Sequence, residues 1–224
     1  MTEGDMQPRP VSHGGARGNG PSCDGTDVFT IRDARVSDIH AITRIYNEAI
    51  REGVSTSDLD ERSMEQRRDW LERHTPRSRY PVVVVRYRGQ TIGFGSLSRY
   101  RPRAGYDSIV ELSYYVGSYW RGRGAGRMLV DWLLHRARDL GYEKAVSCVF
   151  DANEGSMHLM ESFGLTRFGV LPAAIRNGSR VLDVVYWYKD LRPGEPSRPA
   201  DADRRGGSHD DRDNDNNKDN NNGI

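Results

Sequence analysis

The run Arg121-Gly122-Arg123-Gly124-Ala125-Gly126-Arg127 lies between a strand-like segment, Glu111 to Val116, and an apolar helix pattern that begins at Met128. Glycines there let backbone N–H groups of a loop and of a first helical turn converge on one small volume. Phosphate oxygens can accept from them, helped by the helix dipole. The chemistry this predicts is a pyrophosphate cradle. The spacing R-x-x-G-x-G lacks the Gly-Lys-Ser/Thr ending of a P-loop and the G-x-G-x-x-G register of a dinucleotide fingerprint. A glycine- and arginine-rich turn can also be a flexible or RNA-binding linker. The flanks argue otherwise: Met128, Leu129, Trp132, Leu133, Ala137 and Leu140 recur at three- and four-residue spacing, and Gly141 supplies a stop signal.

The elements that must position this loop lie in the middle of the chain. Its 224 residues are 36% hydrophobic and 29% charged with a formal net charge of +1, which suits one globular domain with polar extensions. That balance lacks the charge excess of a dedicated nucleic-acid binder. Residues 1–27 and 193–224 are polar, the latter ending in an Asp/Asn run, and are expected to be disordered tails around a domain at 28–192. No apolar run approaches the roughly 20 residues that span a bilayer, and the N-terminus shows no apolar signal segment, so a cytoplasmic protein with no membrane partner is expected. Cys23 and Cys148 make neither a disulfide framework nor a zinc site, and Cys148 reads as a small buried hydrophobe. No metal is expected.

Within 28–192, Val28–Arg32 alternates as a first strand, and Ser37 or Asp38 can cap a helix with Ile39, Ile42, Ile45, Tyr46, Ala49 and Ile50 on one face. A polar segment leads to a helix near Ser63–Arg73. Tyr80–Tyr87 and Thr91–Tyr100 form a hairpin around residues 88–90, and Ile109–Val116 is the central strand. The long helix follows, then strand Ala145–Phe150, a helix from Glu154 to Phe163, and strands Arg167–Leu171 and Val181–Tyr188. This order predicts an α/β (α+β) fold, a mixed sheet covered by helices on both faces.

The Arg121–Gly126 loop resembles the acetyl-CoA loop of the GCN5-related N-acetyltransferase (GNAT) superfamily. Four further stretches resemble its small bacterial members that acetylate phosphinothricin, methionine sulfone or sulfoximine, and arsinothricin. These are Ile45–Ile50, Leu97-Ser98-Arg99-Tyr100-Arg101-Pro102-Arg103, Tyr106–Val116, and Lys144 through Asn153. The resemblance covers 28–192 and neither tail. It implies a mostly antiparallel sheet with splayed central strands, acetyl-CoA as co-substrate, a small amino-acid-like acceptor and a homodimer. The implied reaction is direct attack of the acceptor's α-amine on the thioester in a ternary complex, where positioning and electrostatics dominate.

Residue by residue, the resemblance makes Glu111 the proton acceptor, a role a carboxylate can fill directly or through water. Alternation alone leaves it a solvated strand glutamate. Arg121, Gly122, Arg123, Gly124, Ala125 and Gly126 hold the pyrophosphate; Tyr114, Tyr115 and Val116 line the pantetheine arm, though the tyrosines read equally as core aromatics. Asn153 and Ser156 form N-x-x-S at a helix start, where Asn153 is also an ordinary N-cap. Arg101 is the substrate anchor, its planar guanidinium suited to carboxylate, phosphinate or arsinate, with Tyr100, Ile109 and Val110 completing the pocket. As a residue it is equally a solvated loop arginine. Ser57 stands where many relatives have an aromatic wall. Met160 stands where the superfamily often has a tyrosine that protonates the thiolate, and His158 projects elsewhere on the helix. Open alternatives are a protein N-terminal or lysine acetyltransferase, a catalytically silent CoA-binding module, and an RNA-binding protein.

Overall fold

The computed structural model describes residues 28–192. The two tails lie outside the described residues. Seven strands form one sheet in the order β1-β2-β3-β4-β5-β7-β6: β1 (Thr30–Asp33), β2 (Val82–Tyr87), β3 (Gln90–Arg99), β4 (Ile109–Val116), β5 (Lys144–Phe150), β6 (Thr166–Asn177) and β7 (Arg180–Asp190). All neighbours are antiparallel except β4 and β5. Helices α1 (Ile39–Glu52) and α2 (Met64–Arg73) cover one face, and α3 (Ala125–Asp139) and α4 (Glu154–Ser162) the other. The expected mixed, mostly antiparallel sheet between helical layers is what the chain forms.

Strand alternation divides the core. Val110, Leu112 and Val116 of β4 join Leu129, Leu133 and Ala137 of α3 in the larger cluster. Residues Phe94 of β3 and Tyr115 of β4 pack instead with Ile42, Ile45 and Tyr46 of α1. Glycine permits the close approach of α3: a Cβ on Gly95 would stand 2.8 Å from Leu133 Cδ1, and one on Gly93 3.4 Å from Leu129 Cδ1.

Several boundaries differ from the sequence reading. Ser37 and Asp38 do not cap α1 through a side chain. Asp38, buried, instead accepts from Arg32, Thr91 Oγ1 and the Arg35 N–H, joining β1, β3 and the start of α1. Helix α3 begins at Ala125, so Ala125 and Gly126 belong to its first turn. β6 runs six residues beyond the expected Leu171, through a register shift at Leu171/Ile175 and an Ala173 with φ of 51°. Proline 172 and that bulge break the alternation from which a strand end is read.

The connection from α1 to α2 is pinned to α1. Asn47 accepts from the Arg62 N–H (3.0 Å) and donates to the Arg62 carbonyl (3.0 Å), while the Tyr46 hydroxyl bonds Thr56 Oγ1 (2.9 Å) and Asp58 (2.8 Å). Ser63 then caps α2 in a reciprocal pair with Gln66. Replacing Asn47 by Ala should lower unfolding free energy by about 1–3 kcal/mol, because two backbone groups of a half-buried loop lose their partner. Chemical denaturation of the variant with a loss below about 0.5 kcal/mol would show that the loop holds itself.

Candidate active site

The parallel pairing of β4 with β5 runs through Ile109↔Lys144, Val110↔Ala145 and Glu111↔Val146. Past Glu111, none of the described residues of β5 pairs with β4, and the strands separate. The gap opens into a cleft of about 240 Å³ walled by Leu112–Val116 of β4, Ser147–Phe150 of β5, and Gly126, Asn153, Ser156 and Leu159 from the two helix starts. Backbone N–H and C=O groups of β4 that face the gap have no strand to bond. Such groups are suited to an extended amide chain that takes the missing strand's place.

At the cleft mouth Gly122 (φ 70°) and Gly124 (φ 91°) adopt left-handed backbone that other residues rarely take, turning the chain into α3. The loop is tied to α1 by two carboxylates. Glu48 accepts from the Ser118 N–H (3.1 Å), and Glu52 pairs with Arg121 at 2.7 Å. Arg121 Nε also donates to the Val116 carbonyl (3.1 Å), so this arginine braces the loop from behind while its residue lines the cleft. Arg123 lies over the Tyr119 ring, exposed and outside the cleft lining. Asn153 has both amide ends engaged: Oδ1 accepts the Ser156 N–H (3.1 Å) and Nδ2 donates to Ser55 Oγ (3.0 Å) from across the cleft. Tyr114 turns toward α3 and α4. Its hydroxyl is buried without a hydrogen-bond partner among the described residues, near Ser156, and burial pushes its pKa up to about 12. Met160 is fully buried in the core, and exposed His158 stands near Glu161.

On the opposite face of the sheet, Glu111, Ser113 and Tyr115 point toward α1 and α2 by the two-residue period of β4. Glu111 is half-buried, and burial raises its carboxyl above the ordinary value of 4.5, offset in part by the Arg101 guanidinium. Arg101 itself is exposed and lies 5.0 Å from the centroid of Tyr100. Ile109 is half-buried at the start of β4. Val110 is placed apart from the other expected pocket residues: it is wholly buried against α3, on the face away from Glu111, so its side chain has no opening to a substrate. Cys148 likewise departs from the expected buried hydrophobe. It is exposed on the cleft wall, where enclosure raises its thiol to about 11 and Glu111 adds to the shift.

A second cavity, about 510 Å³, opens on the α1/α2 side and shares Ser113 and Tyr115 with the cleft. Ser96, Ser98, Arg67, Trp70 and Asp58 line it. Arg67 is only 5% exposed and lies over the rings of Trp70 (3.9 Å) and Tyr46 (4.2 Å). Its Nε and Nη2 have no hydrogen-bond partner among the described residues, and burial lowers its pKa to about 10, still charged at neutral pH. This residue escaped the sequence reading because an arginine in Glu65-Gln66-Arg67-Arg68-Asp69 looks like a solvated helix face. Only its place one turn before Trp70 hints at an aromatic seat. Ser57, exposed, does not line either opening; Val54 and Ser55 form that part of the cleft wall.

Known proteins bear on this geometry. Residues 39–165 match the acetyltransferase (GNAT) family model. The L-methionine sulfoximine/L-methionine sulfone acetyltransferase of Pseudomonas aeruginosa is 32% identical over 167 residues, 73% of this chain and 95% of that protein. A phosphinothricin acetyltransferase from Sinorhizobium meliloti, solved in complex with acetyl-CoA, superposes with a TM-score of 0.70 at 29% identity, covering 77% of this chain and 97% of its own. A ribosomal-protein-alanine N-acetyltransferase from Brucella melitensis gives 0.69 at 32% identity over 72% and 99% of the two chains. The fold and cleft are those of an acetyl-CoA-dependent N-acetyltransferase, and the chain belongs to the GNAT family. Among its members it is related to the phosphinothricin and methionine sulfoximine acetyltransferases.

Acetyl-CoA fits the residues present: unpaired strand edge for the amide arm, and glycines at a helix start for the pyrophosphate. A Cβ on Gly126 would meet Leu159, Tyr114 and Val116 at 3.5 to 3.8 Å, ordinary contact, so Gly126→Ala should be tolerated. Gly126→Val should raise the KM for acetyl-CoA more than that for the amine, because its further methyls enter the cleft. Calorimetry showing wild-type acetyl-CoA affinity in a folded Gly126→Val protein would remove this turn from the cofactor site.

Proposed function

We propose that this enzyme transfers acetyl from acetyl-CoA to the α-amine of a small amino acid or analogue of the phosphinothricin, arsinothricin or methionine sulfone type. The observation that carries the reading is Arg67. A buried guanidinium on the wall of a cavity, with two of its nitrogens unbonded among the described residues, favours an anionic ligand there, since such a group otherwise keeps its desolvation cost uncompensated. Arg101 supplies a second cation near Glu111, so a substrate with an α-carboxylate and an acidic or strongly polar side chain has a guanidinium for each. Glu111 accepts the proton that the nitrogen sheds on acylation. Burial suits it to that task by raising its basicity. The similarity to methionine sulfoximine and phosphinothricin acetyltransferases supports a detoxifying role.

The cleft lining and the left-handed glycines before α3 support Tyr114–Val116, the Arg121–Gly126 turn, Asn153 and Ser156 as the cofactor-holding set. With Met160 at the position of the missing tyrosine, the thiolate leaves unprotonated or takes its proton from solvent, tolerable for a thiol of pKa about 8.5. A homodimer is supported by the edge strand β6 and its neighbour β7, where Phe168, Val170, Leu171 and Val181 are exposed. The similarity to the Brucella melitensis enzyme keeps one other reading in view, acetylation of a protein N-terminus.

Three experiments test this reading. Thiol release should be measured with phosphinothricin, arsinothricin and methionine sulfone against a peptide panel; faster turnover of peptides would move the second reading ahead, and none with any amine would leave a silent CoA-binding module. Arg101→Ala should lower kcat/KM for the best amino acid by roughly 10- to 150-fold, the equivalent of about 1.5–3 kcal/mol for a hydrogen bond to a charged group, with Arg101→Lys recovering part and acetyl-CoA binding unchanged. Glu111→Gln should cut turnover by about 10²–10⁴. Because the base works only when ionised and its pKa is raised, wild-type kcat should fall as pH drops through a value above 4.5. That limb should vanish in the Gln variant, and an unaltered pH profile would take Glu111 out of the mechanism.

A further inference from the structure

His74 and Ser98 stand beside Glu111 and are unused by the chemistry above. His74, 7% exposed, ends α2 with its ring packed edge-on against Trp70. Its Nδ1 lies 2.8 Å from the Trp70 carbonyl oxygen and its Nε2 lies 3.1 Å from Ser98 Oγ. A carbonyl can only accept, so the ring proton sits on Nδ1. Burial, with Arg77, Arg67 and Arg73 nearby, lowers the His74 pKa and keeps Nε2 unprotonated at neutral pH. Nε2 must then accept, and the single hydrogen of the Ser98 hydroxyl is committed to it. What Ser98 offers the cavity is lone pairs alone.

Ser98 is also the cross-strand partner of Glu111 in the β3–β4 register, on the same face of the sheet, and it lines the 510 Å³ cavity with Arg67 and Ser113. Two acceptors thus stand side by side, with Cβ atoms about 5 Å apart as cross-strand neighbours are. A neutral primary amine has two N–H bonds and one lone pair. If both hydrogens are accepted from one side, the lone pair faces the other way.

We propose that Ser98, with its hydroxyl oriented by His74, accepts one N–H of the acceptor amine and so aims the nitrogen lone pair at the thioester, while Glu111 takes the other proton. This rests on the reading of the site as one for acetyl transfer to a primary amine. In the step, the lone pair forms the C–N bond and the C–S bond breaks with its electrons leaving on sulfur. One N–H proton passes to the Glu111 carboxylate, and the second stays on the amide nitrogen, still held by Ser98, which keeps its own hydrogen throughout. The arrangement selects for primary amines. A secondary amine gives its only N–H to Glu111 and turns an alkyl group toward Ser98, leaving that oxygen unmatched.

The test measures thiol release with the best primary amino acid and its N-methyl analogue in wild type, Ser98→Ala, Ser98→Thr and His74→Phe. Wild type should prefer the primary amine by more than about tenfold in kcat/KM. Ser98→Ala should lose about tenfold in kcat on the primary amine and move the preference toward parity, with unchanged KM for acetyl-CoA. Ser98→Thr, which keeps the hydroxyl, should restore both, and His74→Phe should fall between because the hydroxyl is then free to turn. A Ser98→Ala enzyme that keeps wild-type rate and preference overturns the proposal, as does a wild type that acetylates both amines equally. The latter needs no variant and decides the matter if Ser98→Ala does not fold. Wild type without turnover on any amino acid overturns the substrate reading instead, and this proposal with it.

Discussion

The early end of β4–β5 pairing is the constraint on which the molecule depends. Three residue pairs are enough to hold the sheet together at one end, and the strands then diverge. A sheet interior with unpaired backbone is costly unless something fills the gap. Here the gap is flanked by the starts of α3 and α4, whose own N–H groups also lack helical partners. One cleft therefore collects strand edge and helix termini, the two kinds of unsatisfied backbone that an amide-and-phosphate cofactor can meet. Glycines 93 and 95 allow α3 to lie close enough to the sheet for its first turn to reach the cleft.

Helix α1 makes the two halves of the site one mechanical unit. Its Glu48 and Glu52 hold the loop before α3, while its Tyr46 and Asn47 hold the segment leading to α2. The loop before α3 and the segment leading to α2 are thus referred to the same element, which is anchored by Ile42 and Ile45, both essentially inaccessible to solvent. The direct attack proposed above needs the two substrates held to within fractions of an ångström, and a shared support serves that need.

Burial shifts the charged groups of the acceptor face in a consistent direction. It lowers the pKa of Arg67, lowers that of His74 and raises that of Glu111. Each shift moves the group toward its neutral form, yet Arg67, at about 10, stays charged at neutral pH. The aromatic rings of Tyr46, Trp70 and Phe94 offset part of the desolvation of Arg67 through their negative faces. An anionic substrate would complete what the rings begin.

The amino-acid sequence by itself determined the elements and marked the glycine-bearing turn before α3. Periodicities of 2 and 3.6 located nearly every strand and helix, and the Arg121–Gly126 spacing at the start of α3 pointed to phosphate binding because glycine and helix terminus act locally. The boundaries it misplaced, such as the far end of β6 and the start of α3, depend on a bulge and on a glycine-bearing first helical turn that alternation does not register. The acceptor side was hidden for a different reason. Arg67, His74, Ser98 and Glu111 come from α2, β3 and β4, and nothing in their local spacing joins them. Only the tertiary structure decided that Arg67 is buried in an aromatic seat rather than solvated, that Cys148 faces the cleft, that Val110 faces the core, and that Arg121 is tied to Glu52. Sequence patterns report interactions between near neighbours. Burial and the pairing of charges are set by which faces of distant elements are pressed together.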